Sequence, residues 1–446
     1  MATVKSLSKA NKTKVFRRAY VKRRLVSTGL FETDWQEISE DIKRWGTIKS
    51  EVDTFRASKF RLSTLMLKVA NDDGRYNPET DDASLWFGYA SRERSLVKIE
   101  AGYVDESLGA DGIWVRNEFP TDTTAYVGVM SGEILLNDQN SVTLRVKPLT
   151  QVFREFPAQL LTGWTSTGIT ASDFIFMLRD MTDGSSNYLF RPFFGDTTSN
   201  WNVSTTTVTY SDLNTSSAKD IIDANCWQVI QKLAESENFV PYVSRSGVFN
   251  FGSKTSVTAT TAWEFYGINT YNTEYGNTIK KIKNFGFKKT NYYSRVSVRY
   301  VDTDTETSYS IVEATMAVAG DNAVWNLGHR ILNIENFWIP NTVTADALAQ
   351  TIFDDASVIR NHLEFTTSFI PQIEILDRIE VSYDSADKSP QSRWDFNNWS
   401  PGSDELYWDD SRGDSLVMSS KAFKILSAKI NLDKMECDYI VRELDN

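Results

Sequence analysis

Cysteine and histidine are nearly absent from this 446-residue chain, and each shortage removes a class of function. Its two cysteines, Cys226 and Cys437, are too few and too far apart for a disulfide framework or a four-thiolate metal site. With only His329 and His362, imidazole triads and His-rich metal centres have little to draw on, and both histidines read as satisfied structural residues. No stretch approaches eighteen consecutive apolar residues, and no apolar core follows the basic N-terminus. The expectation is therefore neither a membrane-spanning helix nor a signal peptide, no stable membrane insertion, and synthesis in a cytoplasm. Neither a G-x-x-x-x-G-K phosphate loop nor a G-x-G-x-x-G after a strand is found, which sets nucleotide chemistry aside.

What the chain does have is aromatic residues, at 13%, and acid: 59 Asp and Glu against 48 Lys and Arg, a net charge of -11. An acidic surplus argues against a general nucleic-acid coat, which needs clustered cations. The positive charge gathers at one end instead. Residues 1–24 carry nine Lys and Arg, among them Arg17, Arg18, Arg23 and Arg24, and the first acid arrives at Glu32. Such an arm suits an acidic neighbouring subunit, with a solvated tail or passing DNA as alternatives.

Length predicts two to four domains. From Leu62 to Tyr103 the pattern predicts strand, long loop, strand, with Leu65, Leu67 and Val69 alternating against Met66 and Lys68, and Val97, Ile99 and Ala101 alternating against Lys98 and Glu100. The intervening loop carries Tyr76, Trp86, Phe87 and Tyr89, more aromatic surface than a disordered loop would hold. Its NDDGRYNPETDD sequence reads as turn chemistry, with calcium as the alternative. Trp35, Ile38, Ile42 and Trp45, at spacings of three and four, fit either successive helical turns or a strand and bend. A hairpin with its turn at Asn137–Asn140 closes a small antiparallel barrel over 25–150.

Over 151–260 the period changes to helices over sheet: one capped by Ser172, one opened by a Ser217–Asp220 capping box, then a hairpin turning at Ser246–Gly247, with Trp227 between helix and hairpin. Residues 261–446 return to strands, with 281–290 and 294–301 pairing as a hairpin, a helix capped by Thr344, and a final hairpin turning at Asn431–Lys434. The expected architecture is mainly β with an α+β insert: two small antiparallel barrels plus a helix-and-hairpin module. Residues 386–415 interrupt the second barrel without either period and read as a partner-binding segment through Trp394, Trp399 and Trp408. Paired carboxylates leave a glycan hydrolase chemically possible, and WDFNNW could stack on sugars.

The N-terminal R..L...G.FETDWQEIS.DI, followed by F.LSTLMLKVANDDGRYNP and LVKIEAGY, resembles the hub and minor tail proteins of tailed bacteriophages, and CWQVIQKLAESENFVPYVSRSGVFNF and EILDRIEVSYD are similar to their later segments. The resemblance implies a non-enzymatic virion protein without cofactors: a hub, trimeric by preference, that joins the tail tube to the tip or baseplate and lines the DNA channel. Its implied partners are further copies, the tail tube, distal tail and tape-measure proteins, tip fibres or spikes, and DNA in transit. The rivals are a hexameric distal tail protein and a tip-borne glycan-binding or glycan-hydrolysing protein. Contacts between copies are expected at Arg17, Arg18, Arg23, Arg24, Tyr76, Trp86, Phe87, Tyr89 and the three tryptophans of 386–415.

Overall fold

In the computed structural model of the chain the described residues are 14–56, 58–77, 81–108, 114–118, 124–138, 140–158, 168–182, 187–210, 224–253, 261–267, 279–287, 292–303, 306–313, 328–370, 373–384 and 417–444. Two large sheets dominate them, accompanied by two smaller helix-on-sheet layers. The architecture is mainly β, as the periodicities predict.

The first sheet is antiparallel throughout and runs, in spatial order, Gln36–Glu37, Lys14–Lys22, Leu96–Leu108, Thr124–Asp138, Ser141–Pro148, Leu65–Ala70 and Ile42–Arg44, with Trp114–Glu118 paired to the far end of Leu96–Leu108. Its two edge strands are neighbours in sequence, joined through Ile38–Asp41. Four residues reach about 14 Å, so the sheet must curl until its edges nearly meet. Alternation places Leu65, Leu67 and Val69 wholly inside and leaves Met66 exposed.

The second sheet runs Trp263–Tyr266, Arg378–Asp384, Val417–Asn431, Glu436–Glu443, Asn361–Ser368 and Ile279–Phe287, its Trp263–Tyr266 edge being parallel to Arg378–Asp384. The later half of Val417–Asn431 takes another partner, Thr47–Val52, which in turn pairs with Phe60–Leu62. The stretch expected to be one strand from Leu62 is therefore two: Phe60–Leu62 belongs to the second sheet and Leu65–Ala70 to the first. The chain crosses at Ser63, whose N–H bonds to the Lys49 carbonyl. One apolar core runs through both sheets, from Leu65 and Val97 to Ile379 and Tyr439.

The helix Cys226–Ser236 and the hairpin Phe239–Val243/Phe249–Ser253 form the centre of a second core. Its hub is Phe153, on the short helix Thr150–Arg154, whose ring lies 4.8 to 6.2 Å from Phe190, Phe194, Trp201, Trp227 and Phe249. Trp227, on the helix, and Phe249, on the hairpin, both pack against the Phe153 ring and share this core. Ser246 and Gly247 do lie in the turn, but the loop is Ser244–Val248 rather than two residues.

A third core lies between the helix Thr342–Ala356 and a sheet of Glu306–Glu313, Arg295–Thr303 and Ile331–Glu335. The expected hairpin between the 280s and the 290s does not form. Ile279–Phe287 pairs with Asn361–Ser368 in the second sheet, while Arg295–Thr303 turns Val296, Val298 and Tyr300 onto Ala345, Leu348 and Ile352. The alternation was sound, and a helix face won over the nearest strand.

The helix starts also move. Thr170, not Ser172, caps Ala171–Arg179 through a capping box with Asp173. Asn225 and Gln228 form the box of the helix that begins at Cys226, so Ile221 and Ile222 precede it, and Ser217–Asp220 lies outside the described residues. Asn341 caps the third, its Oδ1 accepting the N–H of Thr344. Thr170 and Asn341 lie before the caps the sequence suggests, whereas Asn225 lies after the suggested box.

An ionic cluster fastens the third core to the second sheet. Arg442, 5% exposed, donates from Nη1 to both carboxylate oxygens of Asp355 (2.8 Å each) and from Nη2 to its carbonyl (2.7 Å), while Arg360 donates to Asp355 Oδ1. The Arg442 guanidinium lies over the Phe55 ring, 5.2 Å from its centroid. Asp355→Asn leaves two crowded guanidiniums without the charge they share and should cost about 2 to 4 kcal/mol in denaturant unfolding. A loss within error of zero would show that the cluster does not fasten the modules.

Candidate assembly interface

The long loop after Leu65–Ala70 is ordered from within. Asn71 Oδ1 accepts the Tyr76 N–H (2.7 Å), Asp73 Oδ1 the Arg75 N–H (3.0 Å) and Asp81 Oδ1 the Ala83 N–H (3.0 Å), and Asn77 Nδ2 donates to Asp81 Oδ2 (2.6 Å). The acid-rich sequence acts here as turn chemistry. Among the described residues, no group of three or more His, Cys, Asp or Glu side chains is arranged to hold a metal ion.

Tyr76 and Trp86 are 1% and 0% exposed. The Tyr76 hydroxyl donates to Asp41 Oδ2 (2.6 Å), and the Trp86 indole donates to Ser95 Oγ (3.0 Å). Burial, followed by the Asp41 hydrogen bond, pushes the Tyr76 phenol well above its usual range. Both rings were expected at a contact between copies. Their own loop and sheet bury them instead, because these are the side chains that fold the loop down. Phe87, next to Trp86 in sequence, is 53% exposed.

The four arginines divide in the same way. Arg23 is fully engaged: Nε and Nη2 grip Glu32 at 2.7 to 3.2 Å, Nη1 donates to the Leu85 carbonyl (2.8 Å), Nη2 to the Tyr89 hydroxyl (2.8 Å), and the guanidinium lies 3.7 Å from the Tyr89 ring centroid. Burial alone would raise the Glu32 carboxyl, but the Arg23 hydrogen bonds outweigh it and hold it below its ordinary value. Arg17 donates to the Leu432 and Asp433 carbonyls (3.0 and 3.2 Å) and Arg18 lies over Phe16. Arg24 differs. Its Nε reaches the Gly29 carbonyl (3.0 Å), and burial, then the charge of Arg94, lower its pKa. Within the expected arm, Lys14–Lys22 is a strand; residues 1–13, Trp394, Trp399 and Trp408 lie outside the described residues.

One constellation looks catalytic at first sight. Ser294 Oγ lies 3.0 Å from His329 Nδ1, and His329 Nε2 lies 3.1 Å from Glu313. Yet Ser294 is wholly buried, and its Oγ also accepts the Arg330 N–H (3.0 Å) and meets the Arg330 carbonyl (3.2 Å). A substrate has no approach to that oxygen, which ties strand to strand. Nor does any helix among the described residues have the length and apolarity to cross a membrane.

Sequence reasoning missed a polar cavity of about 250 Å³ where the second core meets the second sheet, lined by Asn202, Asn250, Tyr242, Asp377 and Lys424 among others. No motif marks it, since its residues come from four strands and a turn. Burial pushes Asp377 up to about 6, and Glu374 nearby adds to this against the pull of Arg245. Its folded pKa lies above the ordinary value, so the carboxyl favours the fold while protonated, at acid pH, and loses that contribution as pH rises through about 6. Asp377→Asn should therefore raise unfolding stability at pH 8 by up to about 3 kcal/mol and leave it unchanged at pH 4. An equal effect at both pH values would refute the assignment. In the loop, Trp86→Ala should cost about 3 to 5 kcal/mol, whereas Phe87→Ser should stay within about 0.5 kcal/mol in the isolated chain; comparable losses would show that both rings are core.

No protein-family model matches the chain, and no curated protein matches its sequence. Solved structures do. A tail protein from Neisseria meningitidis superposes with a TM-score of 0.50 at 10% identity, over 96% of this chain and 97% of that one. A 43 kDa prophage tail protein from Shewanella oneidensis gives 0.46 at 11% identity, with 96% and 97% covered, and a prophage tail protein from Listeria monocytogenes gives 0.45 at 10%, with 96% and 94% covered. The Neisseria likeness, spanning both chains almost end to end, establishes a shared fold.

Proposed function

We propose that this chain is a structural subunit of a tailed-phage tail tip, the hub that joins the tail tube to the tip or baseplate and surrounds the path of the DNA. The observation that carries the reading is the end-to-end correspondence of fold with a tail protein, at a level where the individual residues have diverged. Two large sheets in one chain suit it: three copies present six such sheets, matching a six-fold tube on one side and a three-fold tip on the other. On this reading the two large sheets are the barrel-like regions, with Lys14–Lys22 built into the first and Thr47–Val52 and Phe60–Leu62 into the second; 151–260 is the module between them, and the basic residues ahead of Lys14 are a candidate contact with a neighbour. Other copies, the tail tube, distal tail and tape-measure proteins and tip fibres or spikes are its partners, and its location is the virion. The net charge of -11 suits a channel wall that repels DNA and speeds its passage. The work is mechanical, and the buried Ser294 gives the His329 constellation no part in it.

Negative-stain images of the purified chain should show three-fold rings around an open centre. Compact single copies at every concentration, or clearing of host cell walls by the protein in a zymogram, would overturn the reading.

A further inference from the structure

The turn that follows Lys14–Lys22 and the tip of the aromatic loop meet in one surface patch. The Ala90 N–H bonds to the Arg24 carbonyl (2.9 Å), and Leu25 and Leu30 are paired across the turn (2.8 Å). Three large apolar side chains stand out of it, Val26 at 68%, Leu30 at 50% and Phe87 at 53% exposed. Beside them lie two guanidiniums that repel one another. Arg94, with its backbone at a φ of 65°, has a carboxylate partner in Glu155 (2.8 Å). Arg24 has no carboxylate partner among the described residues, and its charge is disfavoured by burial and by Arg94. Half-buried like charges are costly, and an incoming carboxylate removes that cost while an apolar companion covers the three side chains.

The chain carries a segment of matching chemistry. Residues 385–416 hold seven acidic side chains against Lys388, Arg393 and Arg412, a net of 3 - 7 = -4, together with Trp394, Phe396, Trp399, Tyr407 and Trp408. Its two ends leave from paired positions, Asp384 opposite Val417, in the second sheet. Thirty-two residues rooted at one point reach out by up to about 50 Å, far enough for a neighbouring molecule. We infer that the patch formed by Arg24, Arg94, Val26, Leu30 and Phe87 is the docking surface for the acidic, aromatic segment 385–416 of a second copy. This rests on the assembly reading above and names the contact that joins one copy's first sheet to the next copy's second sheet. In a chain of net charge -11 it is a place where a second acidic copy meets attraction rather than repulsion.

Two measurements test it. A labelled peptide of residues 393–410, titrated onto the full chain, should bind saturably; the affinity should fall about tenfold with Arg24→Glu, and again between about 0.05 and 0.5 M salt. Because Cys226 and Cys437 are buried, introduced cysteines can be linked selectively. A mixture of Phe87→Cys and Trp399→Cys chains treated with a short bis-maleimide should give a mixed dimer well above the yield of either variant alone. Peptide binding indifferent to Arg24→Glu, or linkage only within a chain carrying both cysteines, overturns the docking. Rings in negative stain without the mixed dimer would remove this contact and leave the hub reading standing, whereas absence of both would remove the two together.

Discussion

The rest of the structure depends on a single crossing, the point at which the chain leaves the first sheet after Ile42–Arg44 and enters the second. Gly46 makes it, at a φ of 77°, where a Cβ would stand 2.5 Å from the Met66 carbonyl oxygen, so only glycine fits. The last hairpin closes over the crossing: Asp433 accepts the N–H groups of Trp45 (2.8 Å) and Gly46 (3.3 Å), Leu432 donates to the Gly46 carbonyl (3.1 Å), and Arg17 caps the Leu432 and Asp433 carbonyls. Residues nearly 390 positions apart thus share one set of hydrogen bonds. Thr47–Val52 and Phe60–Leu62, although early in sequence, complete the sheet built from the chain's final strands, and the two sheets consequently share one core.

The same early segment reaches every other part. Between those two strands Phe55 packs edge-on against Tyr293 at 5.4 Å in the third core, Arg56 donates to the Asn333 carbonyl (2.7 Å), and the Ser58 carbonyl accepts from Gln231 on the helix of the second core (3.1 Å). A short turn holding three layers at once makes their relative placement a property of one stretch of chain. Rigid placement is what a building block of a symmetric assembly requires, because small angular errors between modules accumulate around a ring.

Sequence periodicity made the elements legible where one face is buried and the other wet: Leu65, Leu67 and Val69, or Val296, Val298 and Tyr300, announce themselves. Turn chemistry was equally legible at Asn431, whose Oδ1 accepts the Lys434 N–H (3.1 Å). Pairing was not. Period two says which side of a strand is apolar and nothing about which strand lies beside it, so it points Arg295–Thr303 to its neighbour in sequence, and the exchange of Thr47–Val52 between sheets leaves no trace in it. At the candidate interface, residue type indicated aromatic and arginine anchors, but Trp86 and Phe87 are adjacent residues of similar character with opposite fates. Only the loop's three-dimensional closure, with an indole donating to Ser95, separates a ring that holds the fold from one offered to solvent.

The register that sets Asp384 across from Val417 has an evolutionary corollary. Since the sheet closes at that rung whatever lies beyond it, residues can be added, removed or exchanged there at a cost that grows only slowly with length. On the proposed assembly reading, a lineage could retool what the chain contacts while leaving its scaffold untouched.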